Sequence, residues 1–165
     1  MKQLLIMTSL FLSILLPGCS SMKGLTAEEK NEKEVALREA IENREFRIDV
    51  NRMIPMSGRS SSLTSNYSLD VNGDNVKSYL PYAGRAYSVP YGGGNGLIFE
   101  SVIGEYVSST ENGGKTVIEF RTKTDEDLFV YRIEIFPNGS ASINVRPNNR
   151  QSISFSGTAI PLKTK

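Results

Sequence analysis

The stretch TVIEFRTKTDEDLFVYRIEIFPNGSASINV, Thr116 to Val145, decides the fold class. It holds three strand-like runs rich in β-branched and aromatic residues: Thr116 to Lys123, Leu128 to Phe136 and Ser140 to Val145. The breaks between them are short. Pro137-Asn138-Gly139 suits a reversal with glycine in the left-handed position, and Thr124-Asp125-Glu126-Asp127 reads as a solvated acidic turn. Strands joined this closely must reverse direction, because a parallel crossover needs a dozen or more residues.

The same pattern continues outward in both directions. Phe46, Ile48 and Val50 alternate with Arg47, Asp49 and Asn51, which predicts a strand with one wet face. Further strands are predicted at Tyr67 to Val71, Val76 to Leu80, Leu97 to Val107 and Ser152 to Phe155. Asn72-Gly73 is a two-residue hairpin signal of the kind that needs positive φ, and Glu111-Asn112-Gly113-Gly114 marks another reversal. No helical pattern recurs between strands. The expected fold is therefore mainly β, an antiparallel meander closing as a sandwich or a partly closed barrel.

One helix is expected ahead of the sheet. In Thr26-Ala27-Glu28-Glu29 the Thr26 hydroxyl can accept from the Glu29 backbone N–H while the Glu29 carboxylate reaches back, which forms a capping box. Glu29 with Lys33 and Glu34 with Arg38 lie four apart in the favourable order. Apolar residues gather only late, at Val35, Leu37, Ala40 and Ile41, so the first half of this helix should be solvated and its last two turns packed, up to about Asn43.

The N-terminus reads as an address. Met1-Lys2 is positive, Leu4 to Leu16 is apolar apart from Thr8, Ser9 and Ser13, and small residues and a cysteine follow. Thirteen residues are too few to span a bilayer, which takes about 20, so residues 1–18 are expected to be a signal peptide. Leu16-Pro17-Gly18-Cys19 resembles a lipobox, with Pro17 departing from the usual choice at its position. Cys19 is the single cysteine of the chain, and lipidation there would leave no thiol for a disulfide. Residues 19–25 then form a tether, and residues 26–165 one β-rich domain with its N-terminal helix.

Charge removes two classes of partner. Lys plus Arg number 19 and Asp plus Glu 18, and Lys2 is the only charge in residues 1–18, so the remainder carries 18 of each. Nucleic acid and polybasic membrane binding both call for a basic excess that is not there. Acyl chains on Cys19 would anchor the protein without one.

Catalytic signals are sparse. The chain has no histidine and its cysteine is assigned to lipidation, which removes Ser-His-Asp, Cys-His and His/Cys zinc arrangements. Carboxylates such as Glu100, Glu105, Glu119 and Glu134 are scattered singly on strands. Asp70-Val71-Asn72-Gly73-Asp74 opens like a calcium loop, but its twelfth position is Pro81 and its glycine comes fourth instead of sixth, so a plain hairpin turn fits better. Tyr91-Gly92-Gly93-Gly94-Asn95-Gly96 lacks the Lys-Ser or Lys-Thr of a phosphate loop. No metal or cofactor is expected.

The remaining candidate is Tyr79 to Tyr91, with Tyr79, Tyr82, Tyr87 and Tyr91 beside Arg85, Pro81 and Pro90. Tyrosines offer flat amphipathic surface at low entropic cost, and prolines stiffen the loop, a composition suited to binding a glycan, peptide or protein. Equally, a chain without tryptophan can use such tyrosines to cover one end of its core. Tyr82, Arg85, Tyr87 and Tyr91 are the predicted ligand-binding residues.

Three stretches together resemble a large group of uncharacterised bacterial lipoproteins classed as a domain of unknown function. They are Ser65-Asn66-Tyr67-Ser68-Leu69, the run from Tyr79-Leu80-Pro81-Tyr82 through Gly84-Arg85-Ala86-Tyr87 to Tyr91-Gly92-Gly93-Gly94, and Phe136-Pro137-Asn138-Gly139-Ser140 with Asn148-Asn149-Arg150-Gln151-Ser152-Ile153. The likeness covers roughly Ala36 to Gly157 and implies a lipoprotein, with no activity or ligand attached. The expected function is a lipid-anchored periplasmic binding or accessory module of the cell envelope, at the outer membrane and without enzymatic activity. An envelope hydrolase and a purely structural lipoprotein are the alternatives.

Overall fold

The computed structural model describes residues 26–87 and 96–162. Cys19, the expected signal peptide and tether, Tyr91 and the glycines at 92–94 lie outside the described residues. Helix α1 (Ala27–Glu42) is followed by eight strands: β1 (Glu45–Pro55), β2 (Ser61–Asn72), β3 (Asn75–Leu80), β4 (Leu97–Thr110), β5 (Thr116–Lys123), β6 (Leu128–Ile135), β7 (Ser140–Pro147) and β8 (Ile153–Pro161). Each strand pairs antiparallel with the next, and β8 returns to β1, so the meander is a closed barrel. The mainly β, antiparallel fold with one N-terminal helix is as expected, and of the sandwich and the barrel left open above the barrel is the form observed, fully closed. The β1–β8 ladder runs from Phe46 opposite Pro161 to Pro55 opposite Ile153, and among the described residues there is no second sheet to pack against it.

Alternation decides which side chains fill the barrel. In β6, Phe129, Tyr131, Ile133 and Ile135 are buried while their neighbours are exposed or half-buried, and Phe46, Ile48, Phe120, Ile143, Val145, Ile153 and Phe155 do the same elsewhere; Leu69, Val71 and Ile118 are buried beside the buried Asp70 and Val117. Each such burial contributes about 1.5 to 3 kcal/mol. The Phe120 and Tyr131 rings stack at 4.9 Å, and Phe99 and Phe129 at 4.8 Å. The buried Tyr131 hydroxyl donates to Ser78 Oγ at 3.2 Å, which donates to the Leu97 carbonyl at 2.7 Å. Burial holds the Tyr131 phenol far above its ordinary pKa, so it stays neutral. The outer wall carries ion pairs such as Lys77–Glu100 and Arg121–Glu105, the reverse of a membrane-spanning barrel with its apolar lipid-facing band.

Helix α1 forms as its caps dictate. Thr26 Oγ1 accepts from the Glu29 N–H at 3.2 Å and Glu29 Oε2 accepts from the Thr26 N–H at 2.8 Å. Arg44, in the left-handed region with φ 57°, ends the helix. Its guanidinium lies 4.2 Å from the centroid of the Tyr106 ring and 2.9 Å from Asp74. Leu37, Ala40 and Ile41 are buried against β1 and β8, so the late apolar turns do the packing.

Alternate connections of an antiparallel meander share an end. The β2–β3, β4–β5 and β6–β7 turns lie at the end that α1 covers. The β1–β2, β3–β4, β5–β6 and β7–β8 connections lie at the opposite end, called here the loop end. The β2–β3 turn differs by one residue from its predicted position: Asn72 pairs with Asn75, so Gly73 and Asp74 are the central pair. Gly73 has φ 58° and Asp74 is not at positive φ, as in a type II′ turn, where only the first residue needs the left-handed region.

β4 is bent. Its first half, Leu97 to Val102, pairs with β3, and its second half, Ile103 to Thr110, pairs with β5. A bulge between Gly104 and Val107, with Glu105 at φ 52°, marks the change.

Candidate functional site

The predicted binding loop crosses the loop end of the barrel, where a short ladder ties it to the β7–β8 connection. Ala86 bridges Arg150, the Tyr87 N–H donates to the Asn149 carbonyl at 2.8 Å, and the Gln151 N–H donates to the Arg85 carbonyl at 3.0 Å. The Gln151 side-chain oxygen accepts from the Arg85 N–H at 3.1 Å. Arg85 to Tyr87 and Asn149 to Gln151, from two of the stretches that carry the resemblance, are thus neighbours in space.

Within this loop the four predicted residues separate. Tyr82 is half-buried against the core and its hydroxyl donates to the Gln151 carbonyl at 2.9 Å. Burial pushes its phenol up, and the nearby Arg150 guanidinium, 5.7 Å from the ring centroid, opposes that rise. Arg85 and Tyr87 are exposed, Tyr87 to 71%. Tyr91 falls outside the described residues. Tyr79, on the barrel wall, stacks on Tyr67 at 5.4 Å. Tyr82 therefore supports the loop while Arg85 and Tyr87 are displayed by it. Tyr87→Ala should change unfolding free energy by no more than about 0.5 kcal/mol, whereas Tyr82→Ala should cost roughly 2 kcal/mol, below the range for a fully buried ring. Urea melts of the single variants check this split.

The support beneath was not visible in the sequence. Asp127, read above as part of a solvated turn, is buried. Its Oδ1 accepts from the backbone N–H groups of Leu128 at 2.8 Å, Asn148 at 3.1 Å and Asn149 at 3.2 Å. Arg150 is buried beside it, bonded to Glu126 Oε2 at 3.0 Å, with Nε 3.8 Å from Asp127 Oδ2. A buried carboxylate that collects N–H donors from two connections locks them together, and the buried guanidinium balances its charge. Only the neighbouring hydrophobic strands hinted at this, by bringing polar residues to one end of the barrel.

The carboxylates considered for hydrolysis sit elsewhere, on the outer wall. Glu100 pairs with Lys77, Glu105 with Arg121 at 2.9 Å, and Glu119 and Glu134 share Arg132. The last two, scattered in sequence, are brought together by the β5–β6 register. In the loop compared above with a calcium site, Asp70 is held by a two-pronged Arg47 contact and Asp74 by Arg44.

The comparisons bear on the whole barrel. The family described as "Domain of unknown function (DUF4251)" matches residues 28–159. The crystal structure of a DUF4251 family protein from Bacteroides eggerthii DSM 20697 is similar, with a TM-score of 0.62 and 18% identity over 79% of this chain and 89% of that one. At that identity the likeness shows the fold alone. No curated protein matches the chain.

Proposed function

The chain belongs to the DUF4251 family, and on that premise we propose that it is a lipid-anchored, non-enzymatic binding or accessory module of the periplasm, which recognises an envelope glycan, peptide or protein through Arg85 and Tyr87. The observation that carries the reading is the exposure of Arg85 and Tyr87, two residues apart on a loop held by a buried ion cluster, over a barrel whose interior is packed with buried side chains. A filled barrel offers ligands its rim. A displayed Tyr-Arg pair suits sugar or peptide surfaces, to which it presents a flat ring and a planar donor group at little further ordering cost.

Position supports the same reading. Cys19 precedes Thr26 by seven residues, a reach of at most about 25 Å when extended. That tether would join the protein at α1, leaving the loop end directed away from an outer membrane facing the periplasm. Cys19→Ser is expected to release the protein into the soluble periplasmic fraction, read by fractionation after a high-salt wash. Persistence of that variant in membranes would refute the anchor.

The recognition surface has a separate test. Wild type and the Arg85→Ala/Tyr87→Ala double variant are used to capture ligand from envelope extracts. The reading expects a species enriched on wild type and lost from the variant, and equal capture by both would overturn it.

A further inference from the structure

We propose that the second half of β4 is a self-association edge, on which a second copy of this chain adds its own β4 antiparallel across a two-fold axis centred on Val107. β3 accompanies β4 only as far as Val102, and the Ile103 N–H makes the last contact on that side, to the Asp74 carbonyl at 2.7 Å. From Glu105 to Thr110 the strand is paired on one edge, with β5, and among the described residues nothing hydrogen-bonds the backbone of its other edge. A row of free N–H and C=O groups selects an extended backbone as its occupant.

Sheets commonly guard such edges with lysine, proline or a bulge. Here the bulge comes at the start of the edge, at Glu105, and the five residues that follow, Tyr106 to Thr110, carry neither charge nor proline. Apolar side chains are exposed along the same strand: Val107 to 63% and Val102 to 64%.

The edge complements itself. Centred on Val107, the pairing sets Val107 opposite Val107, Tyr106 opposite Ser108 and Glu105 opposite Ser109, so no like charges meet. Glu105 is already held within its own chain by Arg121 at 2.9 Å. Raising the pairing sum by two, to a register centred on Ser108, would set Glu105 against Glu111, which favours the register centred on Val107 over that one.

The test uses the full chain in its native membranes and then in detergent. Val107→Cys, oxidised in membranes, is expected to give about tenfold more disulfide-linked dimer than Asp125→Cys, which sits on the β5–β6 turn, because residues directly opposite across a two-fold meet the Cβ separation a disulfide needs. Wild type, with Cys19 alone, measures any background from that thiol. In sedimentation velocity, Val107→Lys should weaken the wild-type dimer by about tenfold or more, since two ammonium groups then face each other. Dimer yield from Val107→Cys no higher than from Asp125→Cys, or a monomeric wild type, would overturn the proposal. The cysteine arm stands even if the lysine variant fails to fold.

Discussion

Asp127→Ala is expected to lower the free energy of unfolding by about 3 to 5 kcal/mol, the range for removing one partner of a buried ion pair. The loss has two sources. Three backbone N–H groups, of Leu128, Asn148 and Asn149, are left without their acceptor, and among the described residues the buried Arg150 guanidinium keeps only Glu126 as a counter-charge. Asp125→Ala, two residues away and exposed, should change stability by no more than about 0.5 kcal/mol. Urea melts on both variants decide the matter. A loss below about 1 kcal/mol for Asp127→Ala would mean that the loop end is not held by this carboxylate.

Gly157→Val is expected to cost about 3 kcal/mol, the upper end for overpacking, because the obstacle it meets is backbone. Gly157 stands opposite Val50 in the β1–β8 ladder, and a Cβ there would lie 2.1 Å from the Asp49 carbonyl oxygen and 3.0 Å from the Val50 Cα. No rotamer change relieves that contact. The strands that close the barrel must part. Gly104→Ala is the matched control, since its Cβ would lie 3.7 Å from the Arg121 carbonyl, an ordinary contact distance. Thermal melts in which both variants lose stability equally would show that the β1–β8 closure is not the sensitive seam.

Much of this architecture can be read from local chemistry. The alternation of Phe46, Ile48 and Val50 specifies β1, and the capping box at Thr26 and Glu29 specifies the start of α1, because both patterns are complete within a few residues. What is set by distant pairing cannot be read this way. β2 begins at Ser61, and Ser61 to Asn66 are mostly polar residues drawn into the strand by β1. β8 continues through Ser156, Gly157 and Thr158, which break any apolar rhythm but complete the ladder that closes the barrel. Closure itself depends on the register between the first and last strands, for which the sequence holds no local signal.

The candidate site divides along the same line. The tyrosine-rich composition of residues 79 to 91 is visible in the sequence, yet the different environments of Tyr82 and Tyr87 follow from the Ala86–Arg150 bridge. Arg150 lies 24 residues from Glu126, to which it is bonded. A charged side chain reads as solvated until the fold supplies its counter-ion, which is why Asp127 looked like a turn residue and is an anchor.

The central claim is that ligand is recognised at the loop end and not at the β6–β7 turn beside α1. A photo-crosslinking amino acid placed at position 87 in the cell, with a control at the exposed Asn138 on the β6–β7 turn beside α1, tests it directly. The account predicts one defined adduct from position 87, diminished by Arg85→Ala and missing from position 138. Adducts of equal yield from both positions, or from position 138 alone, would contradict it.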